Sequence, residues 1–270
     1  MQRKSLWKLS AALVLPVLAY SAQSQAAVLY STTFDSYSNA DLDGTANFPT
    51  TATNDGQDNW FKYDATVASG TGTAVVGTGT GVGGTKGVTF TGSSGVVQYG
   101  QFNATSLGYD ATASTDKIVS IKFDLQGVDF SSTNPAVGFV AFSGNNELGS
   151  ALDSTNTTGG TSRVNGNSSS GLQTASSETQ APSGSFATYE ILLDFINHNY
   201  DVKVNGVELL SDLNFVTGAF NTLSEIDLSF FNGNGQSVVI DNVSVTTLPE
   251  PASLSALGLA GLGLLARRRK

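Results

Sequence analysis

Apolar and polar residues alternate with a period of two along several stretches of this chain, the pattern of strands with one buried and one solvated face. Between Ile118 and Leu125, the apolar set Val119, Ile121, Phe123 and Leu125 opposes Ser120, Lys122 and Asp124. Between Ala187 and Phe195, Tyr189, Ile191, Leu193 and Phe195 oppose Thr188, Glu190 and Asp194. Between Thr222 and Phe230, Ile226, Leu228 and Phe230 oppose Glu225 and Asp227. The stretch Tyr200 to Leu209 predicts a hairpin. Val202 and Val204 alternate up to Asn205-Gly206, and Val207 and Leu209 resume after it. Asn-Gly readily supplies the two positive φ angles of a type I′ turn. Further strands are expected at Val28–Phe34, Lys86–Phe90, Val96–Tyr99, Val137–Phe142 and Val238–Thr246.

Other stretches are less patterned. Residues 66–95 are rich in Gly, Thr and Ser and read as a loop or two short strands, and residues 153–185 read as a long exposed loop. No internal segment shows a helical period, and no repeat of fixed length is present. Many short strands separated by turn residues predict an all-β fold, an antiparallel β-sandwich of the jelly-roll kind.

The two ends differ from this body. Arg3, Lys4 and Lys8 precede an apolar run from Leu9 to Tyr20, and Ser24-Gln25-Ala26 follows with small residues where a signal peptidase needs them. The expectation is a leader over residues 1–26, cut after Ala26 or Ala27. The other end reads Pro249-Glu250-Pro251, then a run of Leu, Ala, Gly and Ser from Leu254 to Ala266, then Arg267-Arg268-Arg269-Lys270. The run is short for an ordinary membrane span. The basic cluster after it favours a cytoplasmic terminus, with the body outside.

Pro-Glu-Pro, a short apolar helix and an Arg-rich terminus, in that order at the end of the chain, resemble the PEP-CTERM sorting signal of Gram-negative bacteria. The resemblance implies processing by an exosortase, a membrane-embedded cysteine transpeptidase, and an association with exopolysaccharide and biofilm matrix. The expected organisation is a signal peptide at 1–26, a β-sandwich domain at 27–247 and a sorting and anchor segment at 248–270. The tail would form a single membrane helix that holds the exported protein transiently at the inner membrane. The remaining landmarks are Phe34-Asp35-Ser36-Tyr37, Gly56-Gln57-Asp58-Asn59-Trp60, Tyr200 to Gly206 and Ile240-Asp241-Asn242-Val243-Ser244-Val245. Their order is similar to that of concanavalin A-like, laminin-G-like jelly rolls, which implies a fold more than an activity.

Charge and composition narrow the chemistry. Seven of the 13 basic residues lie in the two ends, leaving six in a body that faces all 22 acidic residues. Such a body repels phosphate backbones and argues against nucleic acid as a partner. With no cysteine, thiol nucleophiles, disulfides and thiolate metal sites are excluded. The single histidine, His198, lies in a predicted turn, and no Gly-x-Ser-x-Gly elbow accompanies it.

Three places remain for chemistry. Glu225-Ile226-Asp227-Leu228-Ser229-Phe230 is similar to a glycosidase Glu-x-Asp-x-x-Glu strand, but Phe230 stands at the last acidic position, and the two carboxylates read as a wet face. Asp241 lies in phase with Val239, Val243 and Val245, which aims a carboxylate at the core. A calcium ion would offset that cost, with Asp35 as co-ligand from the first strand; a β-bulge at Asp241-Asn242, or a buried donor, would remove it. Trp60, beside Phe61 and Tyr63, offers a sugar-stacking platform. The function expected is that of an exported, non-enzymatic binding or structural protein of the cell surface or matrix, with polysaccharide as partner. The alternatives are an unusual glycan hydrolase and a protein-binding adhesin.

Overall fold

The computed structural model describes residues 26–42, 57–62, 72–101, 107–126, 136–155, 162–175 and 184–249. The leader up to residue 25, the tail beyond residue 249 and Tyr63 lie outside the described residues. Among those described there is no α-helix, and no helix is long and apolar enough to cross a membrane.

The strands in chain order are β1 Val28–Thr32, β2 Trp60–Lys62, β3 Thr73–Thr78, β4 Lys86–Thr91, β5 Val96–Gln101, β6 Tyr109–Asp110, β7 Ile118–Gln126, β8 Ala136–Ser143 and β9 Asn146–Thr155. They continue as β10 Ser162–Ser168, β11 Gly171–Thr174, β12 Phe186–Asp194, β13 Asn199–Val204, β14 Val207–Asn214, β15 Thr222–Leu223, β16 Glu225–Phe231 and β17 Ser237–Leu248. Two large antiparallel sheets form a sandwich. One runs β14-β13-β12-β7-β17-β4-β3, with β1 also paired to β17. The other runs β11-β10-β9-β8-β16-β5-β2. The first and last strands are neighbours, as a jelly roll requires.

The alternation read in the sequence is the alternation observed. Val119, Ile121, Phe123 and Leu125 of β7 are buried, and so are Tyr189, Ile191 and Leu193 of β12. Phe123 anchors the centre, 4.7 Å from Phe139 of the opposite sheet and stacked on Tyr189 at 5.3 Å between ring centroids. The β13–β14 hairpin turns at Asn205 and Gly206, both with positive φ (50° and 78°), as the Asn-Gly pair requires.

The segment 153–185 departs from the expectation of a long loop. β9 extends to Thr155, and β10 and β11 form a hairpin that widens the seven-stranded sheet at its edge. Within β10 only Val164 supplies a large apolar side chain to the core. The remaining inward space at Gly166 is taken by Tyr200, whose hydroxyl would lie 2.8 Å from a Cβ there. A strand with a single large apolar residue on its inward face carries almost no period-two signal. Residues 66–95, left open between loop and strands, contain β3 and β4.

Candidate functional site

The register of the seven-stranded sheet decides which side chains share its outer face. In β16, Ile226, Leu228 and Phe230 point into the sandwich, so Glu225, Asp227, Ser229 and Phe231 point outward. Their partners in β8 are Phe142, Val140, Gly138 and Ala136, and those across β5 include Gly100 for Asp227 and Gln98 for Ser229. Beyond β8, β9 contributes Glu147, Ser150, Leu152 and Ser154, and β10 contributes Asn165 and Asn167. Gln98, Val140, Phe142 and these β9 and β10 residues line a cavity of about 670 Å³, together with Ala136, Leu172 and Phe231; Glu225, Asp227 and Ser229 lie on the same sheet face but are not among the lining residues.

Glu225 and Asp227 are not a wet face. They are 7% and 2% exposed, because β16 is a central strand flanked by β8 and β5 and the tip of Phe61 converges with them over Gly100. The two side chains are hydrogen-bonded to one another. Burial, then the charge of Glu225 and of the more distant Glu147, holds the Asp227 carboxyl well above the ordinary carboxylate range. Burial also raises Glu147, against the opposing pull of hydrogen bonds from Asn167 and Ser150. Asn167 donates from Nδ2 to Glu147 Oε2 at 3.1 Å.

Gly100 makes room for the acidic pair. A Cβ at that position would stand 2.4 Å from Glu225 Oε1, 2.7 Å from the tip of Phe61 and 3.0 Å from Asp227 Oδ1. Phe61 therefore lies beside the acidic pair, one strand further out on β2.

Three buried side-chain atoms among the described residues have no hydrogen-bond partner: Asp227 Oδ1, Ser229 Oγ and Asn165 Oδ1. All three belong to this one outer face. Asn165 is anchored by its other end, with Nδ2 donating to Ser154 Oγ at 2.7 Å, which leaves the carbonyl oxygen unpaired in the cleft wall. Buried polar atoms are normally satisfied, and each unpaired one costs about 1–3 kcal/mol. All three lie on one sheet face, and that of Asn165 lies in the wall of the cavity, which marks this cavity as the candidate site. No single residue type announced it in the sequence. The usable signal was Glu225-x-Asp227-x-Ser229, three polar residues in phase on a strand whose other face is wholly apolar.

The other sequence candidates lie elsewhere. Trp60 belongs to the core, fully buried, with its indole N–H donating to the Tyr30 hydroxyl at 2.9 Å and its ring 6.3 Å from that of Phe139. Alternation along β2 turns Trp60 inward and Phe61 outward, so the aromatic on the outer face is Phe61. His198 sits in the turn between β12 and β13 with φ 54°, its Nε2 3.3 Å from Asn221 Oδ1.

Asp241 is buried but is not pointed at the valines. A bulge between Asp241 and Ser244 switches the phase of β17, so Val238 and Ile240 face the core before it and Val243 and Val245 after it. Asn242 carries the bulge with φ 50°. The Asp241 carboxylate accepts from the backbone of Val82 (2.9 Å) and Asn242 (2.7 Å) and from the Thr85 hydroxyl (3.2 Å). Asp35 accepts from the Lys86 backbone N–H at 3.0 Å and from the Thr33 hydroxyl at 3.1 Å. The two carboxylates grip the same loop, which leads into β4, and the donors that hold Asp241 remove the unpaired charge that had called for calcium. Among the described residues no three His, Asp or Glu side chains converge as a metal-binding group.

Comparisons with known proteins bear on the tail and on the fold. Residues 247–270 match the PEP-CTERM protein-sorting motif, so the chain ends in a signal for exosortase-dependent export to the cell surface. By sequence, no curated protein matches. Among solved structures, the chain is similar to a carbohydrate esterase of the Shiga toxin-encoding bacteriophage phi24B, with TM-score 0.50 and 15% identity over 83% of this chain and 99% of that one. It is also similar to the T. cruzi calreticulin globular domain, with TM-score 0.48 and 9% identity over 77% and 90%. A sialidase matches with TM-score 0.45 and 13% identity over 70% of this chain, which spans 17% of the sialidase's length. The likeness to the esterase supports the β-sandwich fold and nothing finer.

Proposed function

We propose that this exported protein binds polysaccharide at the cell surface or in the surrounding matrix, in the cleft on the outer face of its seven-stranded sheet, without turning it over. The observation that carries this reading is Asn165 Oδ1, an unpaired buried acceptor in the wall of that cavity. An acceptor there is satisfied by a ligand dense in donors. Sugar hydroxyls are such donors. The half-buried rings of Phe142 and Phe231 supply apolar walls for the C–H faces of a sugar.

Hydrolysis is the rival reading, and Glu147 favours it, because it faces the Glu225–Asp227 pair from a different strand. Retaining hydrolysis needs two carboxyl groups on opposite sides of the scissile bond, about 5–5.5 Å apart. Glu225 and Asp227 instead lie side by side on one strand and share a hydrogen bond, so they act as a single unit. Phe230, where a further carboxylic acid would be needed, points into the core instead.

Screening the exported protein on a glycan array tests the proposal. We expect retention of at least one polysaccharide class, lost in Asn165→Ala. Retention of no glycan would overturn it. Release of new reducing ends from a bound glycan would replace binding by hydrolysis.

A further inference from the structure

Resting on that reading, we infer that the cleft takes uncharged glycans and turns away those bearing carboxylate or sulfate groups. The polar side chains of its wall are short of donors. Asn165 Nδ2 donates to Ser154 Oγ at 2.7 Å, and Ser154 Oγ donates to the Arg163 carbonyl at 3.1 Å. Asn167 Nδ2 donates to Glu147 Oε2 at 3.1 Å, and the Ser150 hydroxyl hydrogen-bonds the same carboxylate. The Ser150 oxygen also accepts from the Asn167 backbone N–H at 3.1 Å. The wall thus turns its donors onto itself. Among the described residues that line the cavity, the buried polar atom left without a partner is an acceptor, Asn165 Oδ1.

Charge points the same way. The lining holds Glu147, half-buried, and no Lys, Arg or His. Arg163 lies opposite Ser154 on β10, outside the lining. An ionised acid on a glycan is an acceptor-only group. It would give up its water beside Glu147 and Asn165 Oδ1 and meet no cation in return. A neutral sugar brings hydroxyls instead. Each has a donor for Asn165 Oδ1 or Glu147 and an oxygen for the amide of Gln98. Val140, Leu152 and Leu172 of the lining suit its C–H faces. Leu172 stands at the rim, 60% exposed on the edge strand β11.

A glycan array that includes matched pairs tests this on the exported protein: mannan with mannuronan, methyl-esterified with free homogalacturonan, and dextran with dextran sulfate. We expect the retained glycans to be uncharged. Within a retained pair the neutral member should bind about tenfold more tightly, as a like charge in the same cleft imposes. Repulsion by the acidic body as a whole is long-ranged and fades in 1 M salt, where the Debye length is about 3 Å. The shortage of donors does not fade, so the preference should shrink there without vanishing. Glu147→Gln should narrow it. Leu172→Lys, which adds a cation at an exposed position, should admit the acidic member. A preference that vanishes in salt, or that both substitutions leave unchanged, would overturn the inference and leave glycan binding standing. So would an acidic glycan bound as tightly as its neutral partner. An array that retains no glycan would overturn the two readings together.

Discussion

Ala27 and Thr247 clasp each other at one edge of the sandwich. The Ala27 N–H donates to Thr247 Oγ1 at 2.9 Å, and the Thr247 N–H donates to the Ala27 carbonyl at 2.8 Å. Thr247 in turn donates its hydroxyl to Asp116 Oδ2 at 3.1 Å. The expected leader cut and the Pro249-Glu250-Pro251 motif therefore flank a single backbone pairing that joins residues 220 apart in sequence. Cleavage after Ala26 would leave the new amino terminus docked on the last strand. Exported protein should begin at Ala27 and lack the residues beyond 249–251. Intact-mass analysis checks both ends at once, and a mass that retains Arg269-Lys270 would show that the tail is not removed.

Gly100 offers a way to disturb the cleft without unfolding the domain. A Cβ there meets the ends of the Glu225, Asp227 and Phe61 side chains rather than backbone. Side-chain ends can shift, so Gly100→Ala should cost about 1–3 kcal/mol in the folded state while displacing the acidic pair. Chemical denaturation should show a cooperative transition at a slightly lower midpoint, with glycan binding lost. Full-strength binding would mean that the pair takes no part in the site.

Asp227 makes a prediction about pH. Its carboxyl is raised in the folded state by burial, then by Glu225 and Glu147. Below the unfolded value, near 3.9, both states hold the proton and the group contributes nothing to the balance. As pH climbs above that value the unfolded chain ionises first, so stability falls until the raised folded pKa is passed and is constant thereafter. Asp227→Asn removes this penalty and keeps a donor for Glu225. It should raise the melting temperature at neutral pH by roughly 2–4 °C for each kcal/mol recovered, and by almost nothing at pH 3. Equal stabilisation at both pH values would refute the pH argument. A more stable variant that no longer binds glycan would be the usual exchange of stability for function.

How far this could be read from sequence depended on what each residue packs against. Strands such as β7 and β12 were legible because every inward position is a large apolar residue. The β10–β11 hairpin was not, since Val164 and Gly166 meet the core with one side chain between them and the rest of the packing comes from Tyr200 on another sheet. The acidic pair of β16 was misread for a related reason. Period-two alternation reports that Glu225 and Asp227 oppose Ile226 and Leu228, but it does not report whether the other face meets water or is covered, as it is here. Trp60 and Phe61 were seen as one aromatic patch, although a strand sends neighbours to opposite faces. At Asp241 the strict phase failed because a bulge inserts one residue, and Asn242, a residue type tolerant of positive φ, was the local sign of it.

Asp241 separates two accounts of the same buried carboxylate. If a cation held it, calcium would stabilise the domain, a chelator would destabilise it, and Asp241→Asn and Asp241→Ala would both abolish the response. The observed partners suggest otherwise. Val82, Asn242 and Thr85 donate to the two carboxylate oxygens, and Asp35 holds the adjoining Lys86 N–H. Asp241→Ala should therefore strand these donors and cost about 1–3 kcal/mol. Asp241→Asn should cost less, because it keeps one acceptor oxygen and removes a charge that burial disfavours, consistent with the raised pKa of Asp241. The calcium and chelator arms should leave the melting temperature of the unsubstituted protein in place. Thermal melts of the three proteins, each with calcium and with chelator, decide the matter. A calcium-dependent rise that disappears in Asp241→Asn would restore the cation, and an ordering of Ala below Asn below the unsubstituted protein in both conditions would establish the carboxylate as the acceptor that holds the loop before β4.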